Sequence, residues 1–316
     1  MGVYPYAKTI GHVFVFLLTS GKFTTDLRLR MKYLVFLLAI SHLLIPSAFA
    51  SKQSLIGGVP TDNYSGIVFA LLGPAKCTAT KIGARTYLTA AHCLTSRTPD
   101  ENGTIKRYLN TGDPIFMSAE PEVRNYGDLF FATIDKIYIH PSYDFFQTKY
   151  ANGELDDFTA VSRSLDLAIF KIESSIPGIL ARQISYEKVK INQYFFMLGY
   201  GCEDRFQSDQ KQTEFLGRKK VGFKYAGTVE GDASLIFLDQ EIRSNLDRNY
   251  IYSEGIMTYD PRSSICSGDP GGPVLVNDEV AGVISFAYAD DEGQAYNNFF
   301  TRLHTTKTWI AKVLAE

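Results

Sequence analysis

Tryptophan occurs once in the 316 residues, histidine five times and cysteine four times, with no C-x-x-C pair and no histidine cluster. That scarcity argues against a zinc site, which needs several such ligands at close spacing. A basic excess is also missing, since the formal net charge is −2, and the electrostatic footprint of a nucleic-acid binder is therefore absent. Stretches of helical period are few. Glycine (25), tyrosine (19) and phenylalanine (22) are plentiful instead, a balance that leans toward an all-β architecture. The length allows one large domain or two smaller ones, with ample material for a core.

The one long apolar run lies near the N-terminus. Met31-Lys32-Tyr33 gives a short basic start, Leu34 to Leu44 is almost continuously apolar, and Ser47-Ala48-Phe49-Ala50 has the small-x-small form that a signal peptidase cuts. Residues 31–50 thus read as a complete secretory signal cleaved after Ala50, residues 1–30 as an upstream extension from a misplaced start, and residues 51–316 as the folded domain. A membrane anchor is the rival reading, but the run is shorter than the roughly 20 residues a span needs. Without residues 1–50 the chain carries 27 basic and 33 acidic residues, a net of −6. All four cysteines remain in it, and an even count in an exported chain reads as two disulfides.

Short β-type runs recur after residue 55: Gly66–Leu72, Thr86–Thr89, Phe131–Ile139, Leu167–Ile172, Tyr194–Leu198, Gly217–Phe223, Ser234–Leu238, Val274–Val276, Val280–Phe286 and Asn298–Arg302. Turn residues separate them, as in a barrel or sandwich. Only the C-terminus reads helical, with Leu303, Trp309, Ile310, Val313 and Leu314 on one face. Two polar, turn-rich stretches, Thr95 to Leu129 and Asp144 to Ser164, read as loops or insertions.

Four separated motifs carry the chemistry. They are Leu88-Thr89-Ala90-Ala91-His92-Cys93, then Leu165-Asp166-Leu167-Ala168-Ile169, then Cys266-Ser267-Gly268-Asp269-Pro270-Gly271-Gly272-Pro273, and last Ser285-Phe286-Ala287. In this order they resemble the trypsin-like serine protease family, across roughly residues 55–315. A hydroxyl nucleophile needs a base to take its proton, and His92 matches that base. A buried carboxylate must hold the imidazole in one tautomer and balance its cation, and Asp166 matches that role. Ser285 matches the family serine that helps hold the carboxylate at the pocket edge.

The same resemblance implies an all-β fold of two antiparallel six-stranded β-barrels, at about 60–180 and 185–300, with a C-terminal α-helix at about 303–315. It implies a disulfide from Cys77 to Cys93 that closes the histidine loop, which would stabilise by roughly 3 kcal/mol, and a second from Cys202 to Cys266. Leu55-Ile56-Gly57-Gly58 resembles the family's mature N-terminus, whose freed α-amine would pair with Asp269. Ser54 before it is not basic, so a trypsin-like activator is not expected to cut there. Ser264 matches the floor of the specificity pocket, where trypsins carry Asp, and a neutral floor suits an apolar or aromatic side chain. Ala287 stands where the family usually has glycine and would narrow the entrance.

The departure is Pro270, which stands where the family has its nucleophilic serine. Proline has neither hydroxyl nor backbone N–H. The family's oxyanion hole draws its two N–H groups from the positions of Gly268 and Pro270, so one donor is lost with the nucleophile. Such a donor alone is worth roughly 10²–10³ in rate. Ser267, Ser263 and Ser264 lie nearby, but the resemblance places none of them within reach of the base. The implied reading is a secreted serine protease homologue without activity, binding a protein or peptide, or an active protease or its inhibitor, through the cleft. No cofactor, nucleic acid or stable membrane anchor is implied, and a monomer is expected. An active endopeptidase is the alternative, should the codon for Pro270 be in error or the residue be bypassed. A recognition module that makes no use of the cleft is a third.

Overall fold

The computed structural model describes residues 58–96, 100, 104–201, 217–226, 244, 248–256, 265–289 and 295–316. The signal, the upstream extension, Leu55, Cys202, Ser264 and the expected strand Ser234–Leu238 lie outside these residues.

Six strands close into a barrel in the order β2-β3-β4-β8-β7-β5. They are β2 (Ile67–Leu72), β3 (Ala75–Lys81), β4 (Thr86–Thr89), β5 (Pro114–Ser118), β7 (Phe130–Ile139) and β8 (Ala168–Ile172). β4 and β8 are buried at every residue and pair with each other, so apolar and threonine side chains fill both faces apart from Lys171, whose ammonium lies over the Tyr138 ring. Leu72 pairs with Ala75, and the two-residue loop between them opens with Gly73 at φ +64°. Glycine takes that positive φ at no steric cost, and it suits the twist of the flanking strands.

The second half is a seven-stranded antiparallel sheet in the order β1-β11-β9-β13-β14-β15-β12. Its members are β1 (Val59–Pro60), β9 (Tyr194–Gly199), β11 (Lys220–Tyr225), β12 (Tyr250–Ile256), β13 (Pro273–Val276), β14 (Glu279–Ala289) and β15 (Ala295–Arg302). Among the described residues this sheet is not a closed six-stranded barrel. Segments 202–216, 227–243 and 257–264, which interrupt this half, lie outside them. Asn277 and Asp278, with φ of 52° and 68°, form the two-residue hairpin from β13 to β14, as a type I′ turn requires. A short pair, β6 (Glu122–Val123) with β10 (Gly217–Arg218), joins the two halves.

Both stretches expected to be loops contain regular structure. Thr95 to Leu129 holds β5 and β6. Asp144 to Ser164 falls in two helices, α1 (Pro141–Ala151) and α2 (Asp157–Arg163). Their stop and start signals are local: Pro141 opens α1 with the Ser142 amide donating to His140 Nδ1, and Asp156 accepts from the amide of Thr159 to cap α2. Neither carries a clean apolar stripe, and Phe145 of α1 is exposed, so the 3.6-residue period that marks a packed helix is missing. The C-terminal helix α3 (Lys307–Ala315) starts later than the apolar pattern suggests. Leu303, Ile310 and Val313 are buried as expected, while Leu314 is exposed.

Candidate functional site

The site assembles at the junction of the two halves. After β4 the chain makes a 3₁₀ turn, Ala91–Cys93, closed by the amide of Leu94 donating to Ala91 O. The disulfide Cys77–Cys93, with Cα atoms 6.2 Å apart, ties that turn to β3. This fixes His92 with its side chain only 12% exposed. Asp166 precedes β8 and is buried. The Nδ1 of His92 lies 2.7 Å from Asp166 Oδ2, and the His92 backbone amide donates to Oδ1 at 3.0 Å.

From the second half, the Ser285 hydroxyl donates to Asp166 Oδ2 at 2.5 Å. Its aim follows from a bulge. The pairing of β14 with β15 slips between Ile284 and Phe286, leaving Ser285 as the extra residue, and such a bulge re-directs a side chain. Burial by itself would push the Asp166 carboxyl up. The positive charge of His92 and the hydrogen bonds from the His92 ring, Ser285 and the His92 amide together outweigh it, and the group is brought down to about 2. The structure thus brings the side chains of His92, Asp166 and Ser285 together.

The turn that should present a nucleophile is equally well built. Asp269 is fully buried, its Oδ1 accepting from Gly201 N at 2.7 Å and its Oδ2 from Cys266 N at 2.9 Å. Burial raises its carboxyl to about 7, against the two amides and the attraction of buried Lys220. Gly268 and Gly271 have φ of +97° and +87°. A Cβ on Gly271 would lie 2.1 Å from both Thr78 O and Thr89 Oγ1, so the turn sits tight against the strand end that leads into His92. Between them stands Pro270, half-buried, its carbonyl accepting from the Thr78 amide at 2.9 Å.

The amides of Cys266, Asp269, Gly271 and Gly272 are all used within the fold. That of Gly268 has no acceptor among the described residues, and Pro270 has no amide hydrogen to offer. The site therefore holds His92 paired with Asp166, the Gly268 amide without an acceptor among the described residues, and a proline where the family resemblance expects a hydroxyl. Ser267 is exposed on the same turn.

Cys266 is disulfide-bonded, and its expected partner Cys202 lies outside the described residues, as do Leu55 and Ser264. Ala287 is half-exposed on β14, opposite Asn298.

Thr78 was not singled out by sequence reasoning. Its hydroxyl donates to Gly268 O at 2.8 Å and accepts from Tyr200 N at 3.0 Å. Nothing in its own sequence context signals this beyond its place next to Cys77. Tyr250 was also missed. Buried beside Asp166, it donates to Val161 O at 2.9 Å and holds α2 against the sheet.

Trypsin of Xenopus laevis is 22% identical over 292 residues, 90% of this chain and 99% of that protein. Mouse granzyme B(G,H) is 28% identical over 100 residues, 31% of this chain, so the match spans only 39% of that relative's length. Among solved structures, a scabies mite inactivated protease paralogue, S-D1, superposes with a TM-score of 0.59 at 16% identity, covering 82% of this chain and 97% of that one. At that identity the likeness is one of fold. A family model described as trypsin matches residues 55–310, and the chain belongs to the trypsin family.

Proposed function

We propose that this is an exported trypsin-family protein without peptidase activity, which binds a peptide or protein partner through the cleft around His92. The observation that carries the reading is Pro270. It sits beside a complete His92–Asp166–Ser285 relay and supplies neither the oxygen that would attack a carbonyl nor the second amide that would steady the oxyanion. A fold that had simply decayed would have no need of a buried carboxylate whose hydrogen bonds are all satisfied. The inactivated paralogue among its structural neighbours is consistent with the reading.

Export is supported by the signal-like segment at residues 31–50 and by disulfide-bonded Cys77, Cys93 and Cys266, which suit an oxidising compartment. No helix among the described residues is long and apolar enough to cross a membrane.

The test is treatment of the purified native chain with a fluorophosphonate probe, followed by mass spectrometry, alongside recovery of partners on the immobilised protein with and without His92→Ala. The reading expects no adduct, and a partner lost with the histidine. A phosphonyl adduct would establish the alternative, an active endopeptidase. Partner binding that ignores His92 would leave a recognition module that makes no use of the cleft.

A further inference from the structure

Resting on the cleft-binding reading, the donors around Pro270 bear on which group the cleft would grip. The Nδ1 of His92 is committed to Asp166 Oδ2, so Nε2 is the ring nitrogen left to face a ligand. The second donor is the amide of Gly268, a buried residue whose own carbonyl is pinned by the Thr78 hydroxyl. The amides of Cys266, Asp269, Gly271 and Gly272 are consumed, whereas that of Gly268 has no acceptor among the described residues. An arriving oxygen could accept from it. The two donors belong to segments packed together: Cys93 Sγ lies 3.7 Å from Pro270 O, and a Cβ on Gly271 would be 3.2 Å from Ala90 N.

In an active relative a serine oxygen would stand between these donors and occupy the imidazole. Here a pyrrolidine ring forms an apolar wall instead, and the imidazole is released. Two donors beside an apolar wall suit a group that only accepts and has two oxygens. A carboxylate meets that description, with one oxygen on Nε2–H and the other on the Gly268 amide. A peptide carbonyl has one oxygen, and a terminal amide would turn N–H groups toward donors. The buried negative charge of Asp166 balances the imidazolium that such a contact requires.

We propose that the vacated nucleophile site is a receptor for the C-terminal carboxylate of a peptide, the product class that an endopeptidase releases. Its place would follow peptide-bond hydrolysis carried out by another enzyme.

The experiment titrates the isotope-labelled native chain with two matched mixtures of N-acetylated tetrapeptides without acidic side chains. One mixture ends in a free carboxylate and the other in an amide. The carboxylate mixture is expected to shift the Gly268 amide and the His92 ring resonances, and to bind at least about tenfold more tightly, the worth of one charge-assisted hydrogen bond. His92→Gln should erase that advantage. Pro270→Ala, which returns an amide beside that of Gly268, should increase it. Equal binding of both mixtures overturns the carboxylate inference and leaves a peptide cleft standing. Binding of neither, with both resonances unmoved, overturns the cleft reading itself.

Discussion

The amide of Thr78 donates to the carbonyl of Pro270 at 2.9 Å, a bond that ties a strand of the closed barrel to the turn of the opposite half. The Thr78 hydroxyl holds Gly268 of the same turn and takes the amide of Tyr200. One buried residue thus fixes the turn on both sides of Asp269, by its amide at Pro270 and by its hydroxyl at Gly268, and the hydroxyl joins the turn to the strand that ends at Gly199.

Thr78→Val keeps the shape and removes the hydroxyl, leaving the Tyr200 amide without its acceptor and Gly268 O without its donor. A loss of roughly 1–3 kcal/mol in unfolding free energy is expected from urea denaturation. Thr78→Ser should lose much less. Similar losses for the two would place the effect in packing rather than in the hydroxyl.

How much was readable in advance depended on whether the signal was local. His92, Asp166 and Ser285 were legible because each sits in a motif whose order along the chain is itself informative, and they do converge. The strands β4 and β8 were legible as apolar runs. The helix α1 was not, because it lies on the surface with Phe145 exposed, and its capping residue His140 is no usual helix-starter. β3 was missed because Ala75-Lys76-Cys77-Thr78-Ala79-Thr80-Lys81, although it alternates, carries only small apolar side chains and no large β-branched or aromatic residue. It is a strand because tertiary pairing with β2 and β4 makes it one. Thr78 is the same failure at the scale of one residue, since its partners lie 122 and 190 positions away.

Asp269 gives the fold a pH dependence of definite sign. Its carboxyl rises from an ordinary 3.8 to about 7, with burial as the main cause. A group raised in the folded state contributes stability that is complete below the unfolded value and is lost as the pH passes through the folded one. Stability should therefore decline between about pH 4 and pH 7 in urea or thermal unfolding, and Asp269→Asn should flatten that decline. A chain whose first residue is Leu55 is expected to flatten it too, because the α-amine implied by the family resemblance would balance the charge. A wild-type profile as flat as that of the variant would show that Asp269 is not the group responsible.

Pro270→Ser restores a hydroxyl and an amide together, beside a base and carboxylate already in place. Fluorophosphonate labelling and hydrolysis of aromatic esters are expected to rise at least about a hundredfold above the native chain. Adding His92→Ala to that variant should return both to background. Pro270→Ala restores only the amide and should stay unlabelled. Failure of the serine variant, with its fold intact by circular dichroism, would mean that the pocket around Ala287 has changed beyond the one residue.

Ser285 and Asp166 govern a second, lower pH window. The Asp166 carboxyl sits at about 2, below its ordinary 3.8, with part of that depression supplied by the Ser285 hydroxyl. A depressed acid contributes stability present above its unfolded value and lost as the pH falls through its folded one. Ser285→Ala removes one donor, so the folded value rises and acid unfolding should begin at higher pH. At neutral pH the variant should lose roughly 1–3 kcal/mol, as expected when a buried carboxylate loses a hydrogen bond. Above pH 4 the slope due to Asp269 should be unchanged, since that carboxyl has separate partners in Gly201 and Cys266. A shift in both windows at once would mean that the two buried acids titrate as one system, and carboxyl chemical shifts of the two aspartates would show which description holds.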